Sequence, residues 1–109
     1  MSKRKTTLIV QFQKAENNLD ELFAFENSLA QGIEQSRSGI LDGNDIGNTT
    51  YNIYVFPKSG RLGPCMENIK MWLKAKKLLE KTIIVRVTPS GKAIVDFPEG
   101  YEGEFDYGI

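Results

Sequence analysis

From Thr6 to Phe12 the chain alternates. Leu8, Val10 and Phe12 fall on one side and Thr7, Ile9 and Gln11 on the other, the period of two that predicts a strand. The pattern then changes to helical spacing. Leu19, Leu22, Phe23, Leu29, Ala30 and Ile33 form one apolar stripe, with Asn17 or Asn18 placed to cap it and Glu26 near its middle. Gly32 is a candidate end for this helix, Ser36 the alternative. Ile40 and Leu41 read as a short strand leading into a turn at Asp42-Gly43-Asn44-Asp45-Ile46-Gly47. Thr50 to Phe56 alternates most clearly, with Tyr51, Ile53 and Val55 against Asn52, Tyr54 and Phe56. A breaker-rich loop from Pro57 to Gly63 precedes a second helix opened by Pro64. Cys65, Met66, Ile69, Trp72, Leu73 and Leu79 mark its apolar face, and Lys70, Lys74 and Lys77 the opposite one. Ile83–Val87 and Ala93–Phe97 are strands joined by a turn at Thr88–Gly91.

The predicted order is βαββαβ plus a terminal strand. Two one-sided helices among antiparallel strands predict an α+β, ferredoxin-like split βαβ fold with both helices on one sheet face. The expected organisation is a single domain over residues 1–98 and an acidic tail over 99–109. The other sheet face, carrying Thr7, Ile9, Asn52, Tyr54, Phe56 and Ile84, is expected to lie open as an interaction surface.

Charge refines this picture. Fourteen basic and fourteen acidic residues cancel, which argues against a non-specific nucleic-acid binder. The signs are segregated, however. The first helix is acidic, the second basic, and the tail carries Glu99, Glu102, Glu104 and Asp106 with no base. The chain has no histidine, which removes Ser-His and Cys-His pairs and the usual zinc sites. The single cysteine, Cys65, excludes an internal disulfide and fits a reducing compartment. The apolar run at Leu8–Phe12 is too short for a signal-peptide core or membrane span, so a cytoplasmic protein is expected.

The six residues from Asp42 to Gly47 hold the densest candidate chemistry. Asp42, Asn44 and Gly47 match the first, third and sixth positions of a calcium loop, but Ile46 and Ile53 stand where two oxygen ligands belong. No metal and no cofactor is expected. Gly43 and Gly47 are read as structural turn residues, and Asp42, Asn44 and Asp45 as candidate partner contacts. The segment and the strand after it resemble small uncharacterised bacterial ferredoxin-like proteins with a D-G-x-[DE]-x-G turn between the first helix and an alternating strand. The resemblance covers roughly the first 56 residues and implies the fold but no reaction. Immunity-type inhibitors of toxins offer an analogy only.

Other features are weighed in the same way. Tyr54 and Phe56 would stack bases in an RNA-binding domain, but the third strand lacks that family's basic-glycine entry. Gly60–Pro64 with Lys58 and Arg61 presents amides ahead of a helix without forming a phosphate-loop motif. Cys65 is expected to be a buried, inert thiol, and Glu26 a rim residue. No nucleophile–base–orienter set exists, so an enzyme is not expected. The leading expectation is a non-enzymatic protein-interaction module, in its sharpest form an immunity-type inhibitor. It would act through the open sheet face and the tail residues Glu102, Glu104, Phe105, Asp106 and Tyr107. Self-association through the sheet face or an edge strand is the blander form. The alternatives are a homodimeric small-ligand regulatory domain and an RNA-binding domain.

Overall fold

The computed structural model describes residues 6–101 and Phe105. The chain runs β1 (Thr7–Gln13), α1 (Leu19–Ser36), β2 (Gly39–Ile46), β3 (Thr50–Pro57), α2 (Leu62–Ala75), β4 (Thr82–Val87) and β5 (Ala93–Phe97). Single 3-10 turns lie at Lys14–Glu16 and Leu79–Lys81. The sheet order is β2-β3-β1-β4-β5 with every pair antiparallel. This is the ferredoxin-like arrangement: α1 carries the chain from β1 past β3 to β2, and α2 carries it from β3 past β1 to β4. The fifth strand extends the sheet beside β4.

The helices share one core with one sheet face. Leu22, Phe25, Leu29 and Ile33 of α1 and Cys65, Ile69 and Leu73 of α2 pack with Leu8, Val10, Phe12, Tyr51, Ile53, Val55 and Ile84. Each large apolar side chain withdrawn in this way contributes about 1.5–3 kcal/mol of transfer free energy. The α1 seam is therefore Leu22-Phe25-Leu29-Ile33. Leu19 and Phe23, expected on the stripe, are 37% and 41% exposed, because one residue's step of about 100° swings a side chain off a narrow seam.

Gly32 does not end α1. It is buried within the helix, and a Cβ there would stand 2.2 Å from Trp72 Nε1, so the missing side chain lets α2's indole lie on α1. Asn18 caps the helix, its side-chain oxygen accepting from the Asp20 and Glu21 amides at 2.9 and 3.3 Å. The helix closes after Ser36 through Arg37 in the left-handed region (φ 54°), with the Ser38 amide donating to the Ile33 carbonyl at 3.3 Å. α2 ends likewise through Lys77 (φ 60°), so Leu79 falls in the following 3-10 turn and not on the helix.

The reverse sheet face departs from expectation, for its centre is closed. Ile9 and Val85, which oppose each other across β1 and β4, are 1% and 0% exposed. Beside them Gln11 Nε2 donates to Asn52 Oδ1 at 3.0 Å, and Asn52 Nδ2 donates to Thr50 Oγ1 at 3.4 Å, all three residues being buried. Polar groups so enclosed are retained only where they bond one another. Ile84 leaves the reverse face altogether, since it pairs with Val10 and joins the helix-side core. Thr7, Tyr54 and Phe56 are half-buried. β5 ends at the cis Phe97–Pro98 bond, and the Tyr101 amide closes a turn on the Pro98 carbonyl at 3.3 Å. Phe105 is half-buried and engaged in a contact. The candidate tail residues Glu102, Glu104, Asp106 and Tyr107 lie outside the described residues.

Candidate functional site

β2 is an outer strand, and its two ends differ in chemistry. Of Asp42–Gly47, expected as a turn, Asp42–Ile46 instead forms most of this strand and only Gly47 lies beyond it. Leu41 pairs with Val55 and Gly43 with Tyr54, leaving Asp42 as the extra residue of a bulge. Gly43 occupies the bulge at φ 153°. The reversal comes later, where the Gly47 amide donates to the Thr50 carbonyl at 2.9 Å. Glycine and aspartate suit turns, but an edge strand with one solvated side accepts them, and a bulge favours them.

Strand geometry then divides the motif. Asn44, opposite Ile53, shares the helix side, whereas Asp45, opposite Asn52, shares the reverse side. Asp42 stands exposed at the bulge. Asn44 and Asp45 are thus set on opposite sides of the sheet.

What gathers at the far end of β2 is a different set. Glu26, which sequence reasoning placed at the rim, accepts three hydrogen bonds. Tyr51 Oη donates to its Oε1 at 2.6 Å, and Asn44 Nδ2 donates to Oε1 and Oε2 at 2.9 and 3.2 Å. Tyr51 is fully buried, with Phe12 and Phe23 edge-on at centroid distances of 6.5 and 5.5 Å. Burial first, then the hydrogen bond to Glu26 and its negative charge, push the Tyr51 phenol above its ordinary range, so it remains a donor. The cluster joins α1, β2 and β3 and spends its polar groups on itself. Outside it, Phe23 and Ile46 are 41% and 43% exposed, and Tyr54 Oη reaches Asp45 Oδ2 at 3.5 Å. Tyr54 stands beside a carboxylate and Phe56 in a groove wall, both half-buried.

The near end of β2 opens into a groove of about 770 Å³. Thr6, Arg37, Gly39, Ile40, Phe56, Pro57, Lys58, Ser59, Gly60, Leu62 and Pro89 line it. Four separate segments meet here. Gly39 lets β2 begin flush against β3, for a Cβ would stand 2.5 Å from the Phe56 carbonyl oxygen. The Lys58 amide donates to the Ser38 carbonyl at 2.8 Å, which ties the loop after β3 to the segment after α1. The Arg61 amide then returns to the Lys58 carbonyl at 2.8 Å, and Gly60 takes φ 77° in the turn. The only charged residues of the lining are cations, Arg37 and Lys58. Among the described residues neither has an ion-pair partner, the one salt bridge being Arg86–Asp96 at 2.9 Å. Ile40, at the lip, is 70% exposed.

The remaining candidates are structural. Cys65 is fully buried, and burial pushes its thiol up against an opposing hydrogen bond from Ser38. Arg61 is the residue before α2 and supplies no side-chain cap. Lys70 lies 5.8 Å from the Phe97 ring centroid. Among the described residues no group of three or more acidic, cysteine or histidine side chains is placed to hold a metal ion, and no helix is long and apolar enough to cross a membrane. Sequence reasoning singled out Lys58 as a cation beside the loop before α2 and Phe56 for base stacking. It missed Arg37 and Ile40, which carried no motif signal. Comparison with known proteins adds no identity: no family model matches the chain, and neither a curated protein nor a solved structure is detectably similar to it.

Proposed function

We propose that this chain is a non-enzymatic protein-interaction module that receives an extended, basic segment of a partner along the outer side of β2. The observation that carries this reading is the strand itself. β2 is eight residues long and, among the described residues, has a strand neighbour on one side only. Unpaired backbone donors and acceptors on such an edge are a template for strand addition. Its flanks add selectivity. Asp42 and Asp45 stand along it, and Phe23 and Ile46 offer apolar contact. The same acids oppose pairing between two copies, since like charges across adjacent strands repel, and they favour a strand bearing lysine or arginine. On the reverse sheet face the centre is closed at Ile9, Asn52 and Val85, whereas Thr7, Tyr54 and Phe56 are half-buried, so the edge strand supports this reading more directly than that face does. An immunity-type inhibitor of a basic toxin is the sharpest form of the reading, with the acidic tail as a second element of the same sign.

The probe is a short peptide of alternating lysine and valine, with its glutamate–valine counterpart as control. The lysine peptide is expected to slow amide exchange within residues 39–46, to bind more weakly as salt rises, and to lose affinity in an Asp42→Lys, Asp45→Lys variant. Equal binding of the glutamate peptide, or protection of β5 instead, would overturn the reading. Deleting residues 99–109 and repeating the titration separates the tail's contribution from that of the strand.

A further inference from the structure

The groove at the start of β2 has chemistry that strand addition does not use. Its walls include the apolar side chains of Ile40, Phe56, Pro57 and Leu62, and its only charges are Arg37 and Lys58. Two like charges lining one concavity repel each other, and among the described residues no acid is paired with either. The groove is open to solvent, and its volume of about 770 Å³ lies within the range of small-molecule sites, which combine apolar walls with a few polar groups.

The backbone holds this pair in place. Arg37 is set by the left-handed cap of α1 at φ 54°, and its neighbour Ser38 accepts the Lys58 amide at 2.8 Å. A left-handed cap position ordinarily favours glycine, so an arginine there sacrifices stability. A residue kept at a conformational cost in the wall of a concavity is a reason to look for a ligand.

We propose that this groove binds a small amphipathic organic anion, an apolar body ending in a carboxylate or phosphate, with Arg37 and Lys58 holding the charged head and Ile40, Phe56 and Leu62 covering the body. The planar guanidinium offers two parallel donors to either head group, and the ammonium supplies a point charge. This site stands independently of the strand-addition reading.

The test uses the full chain and defined probes. 3-Phenylpropionate and phenyl phosphate represent the two head groups, 3-phenylpropan-1-ol is the uncharged control, and inorganic phosphate is the control without an apolar body. Binding is followed by amide chemical shifts and calorimetry. At least one of the two amphipathic anions is expected to shift residues 37–40 and 56–62, and the stronger one identifies the preferred head group. The alcohol and inorganic phosphate are expected to bind at least about tenfold more weakly, as loss of a charge-assisted contact or of the apolar contact implies. Lys58→Ala is expected to weaken the preferred anion by at least about fivefold. Arg37→Gly is the sharper variant, because it is expected to raise the melting temperature while weakening binding, and a folding defect would move both together. Absence of shifts with both anions, equal affinity for the alcohol, or unchanged binding in both variants would overturn the proposal.

Discussion

The two ends of β2 lie on one strand yet have opposite electrostatic economies. At the far end Glu26 accepts from Tyr51 and Asn44, and a buried phenol, an amide and a carboxylate satisfy one another. At the near end Arg37 and Lys58 border a groove without an ion-pair partner among the described residues. Polar groups that meet within the chain stabilise it and are withdrawn from outside use. Those left over are available to a ligand and contribute little to folding. The contrast gives the Glu26–Tyr51–Asn44 set a structural role and leaves Arg37 and Lys58 to the proposed anion.

High pH is the most severe way to break the satisfied end. Tyr51 is raised from an ordinary value of 10.0, so the unfolded chain loses this proton first. The associated stability is complete below about pH 10 and declines as pH climbs from there toward the folded value. Of the four tyrosines, one is expected to resist forming phenolate, by ultraviolet absorbance, until the fold gives way. Four phenols titrating together in the native protein would show that the hydrogen bond to Glu26 does not hold.

Glu26→Ala comes next. It leaves the buried Tyr51 hydroxyl and the Asn44 amide without their acceptor and is expected to cost about 2–3 kcal/mol by denaturant titration. Gly32→Ala disturbs the scaffold beneath both ends. Its methyl collides with the Trp72 indole, and the expected net loss is about 2 kcal/mol despite alanine's better helix propensity. Arg37→Gly has the opposite sign, a gain of about 0.5–1 kcal/mol from relief of the left-handed residue. Lys58→Ala should change stability by less than about 0.5 kcal/mol. If it instead costs as much as Glu26→Ala, the distinction between the two ends disappears.

Legibility in the sequence followed the range of the interactions involved. β3 was readable because a strand closed on its helix side shows strict alternation, and Tyr51, Ile53 and Val55 all face the core. Both helices were readable from their spacing, although the choice between Phe23 and Phe25 was not, because a stripe read without its partner is one residue wider than the seam it makes. β2 was misread since local chemistry, two glycines and two aspartates, signals a turn, and only the neighbouring β3 holds that segment extended. Glu26 could not be paired with Tyr51, twenty-five residues away, without the fold. The groove was invisible for the same reason. Residue 6, residues 37–40, the loop after β3 and Pro89 share no local pattern.

The position of β1 has a consequence for how the molecule is made. It is the central strand, and its two neighbours, β3 and β4, both follow it along the chain. An emerging polypeptide must therefore carry Leu8, Ile9 and Val10 without their strand partners until residues 53–55 are available on one flank and residues 84–86 on the other. Synthesis, not the finished fold, is where this strand is most open to wrong partners, and slowing translation before β4 should lengthen that exposure.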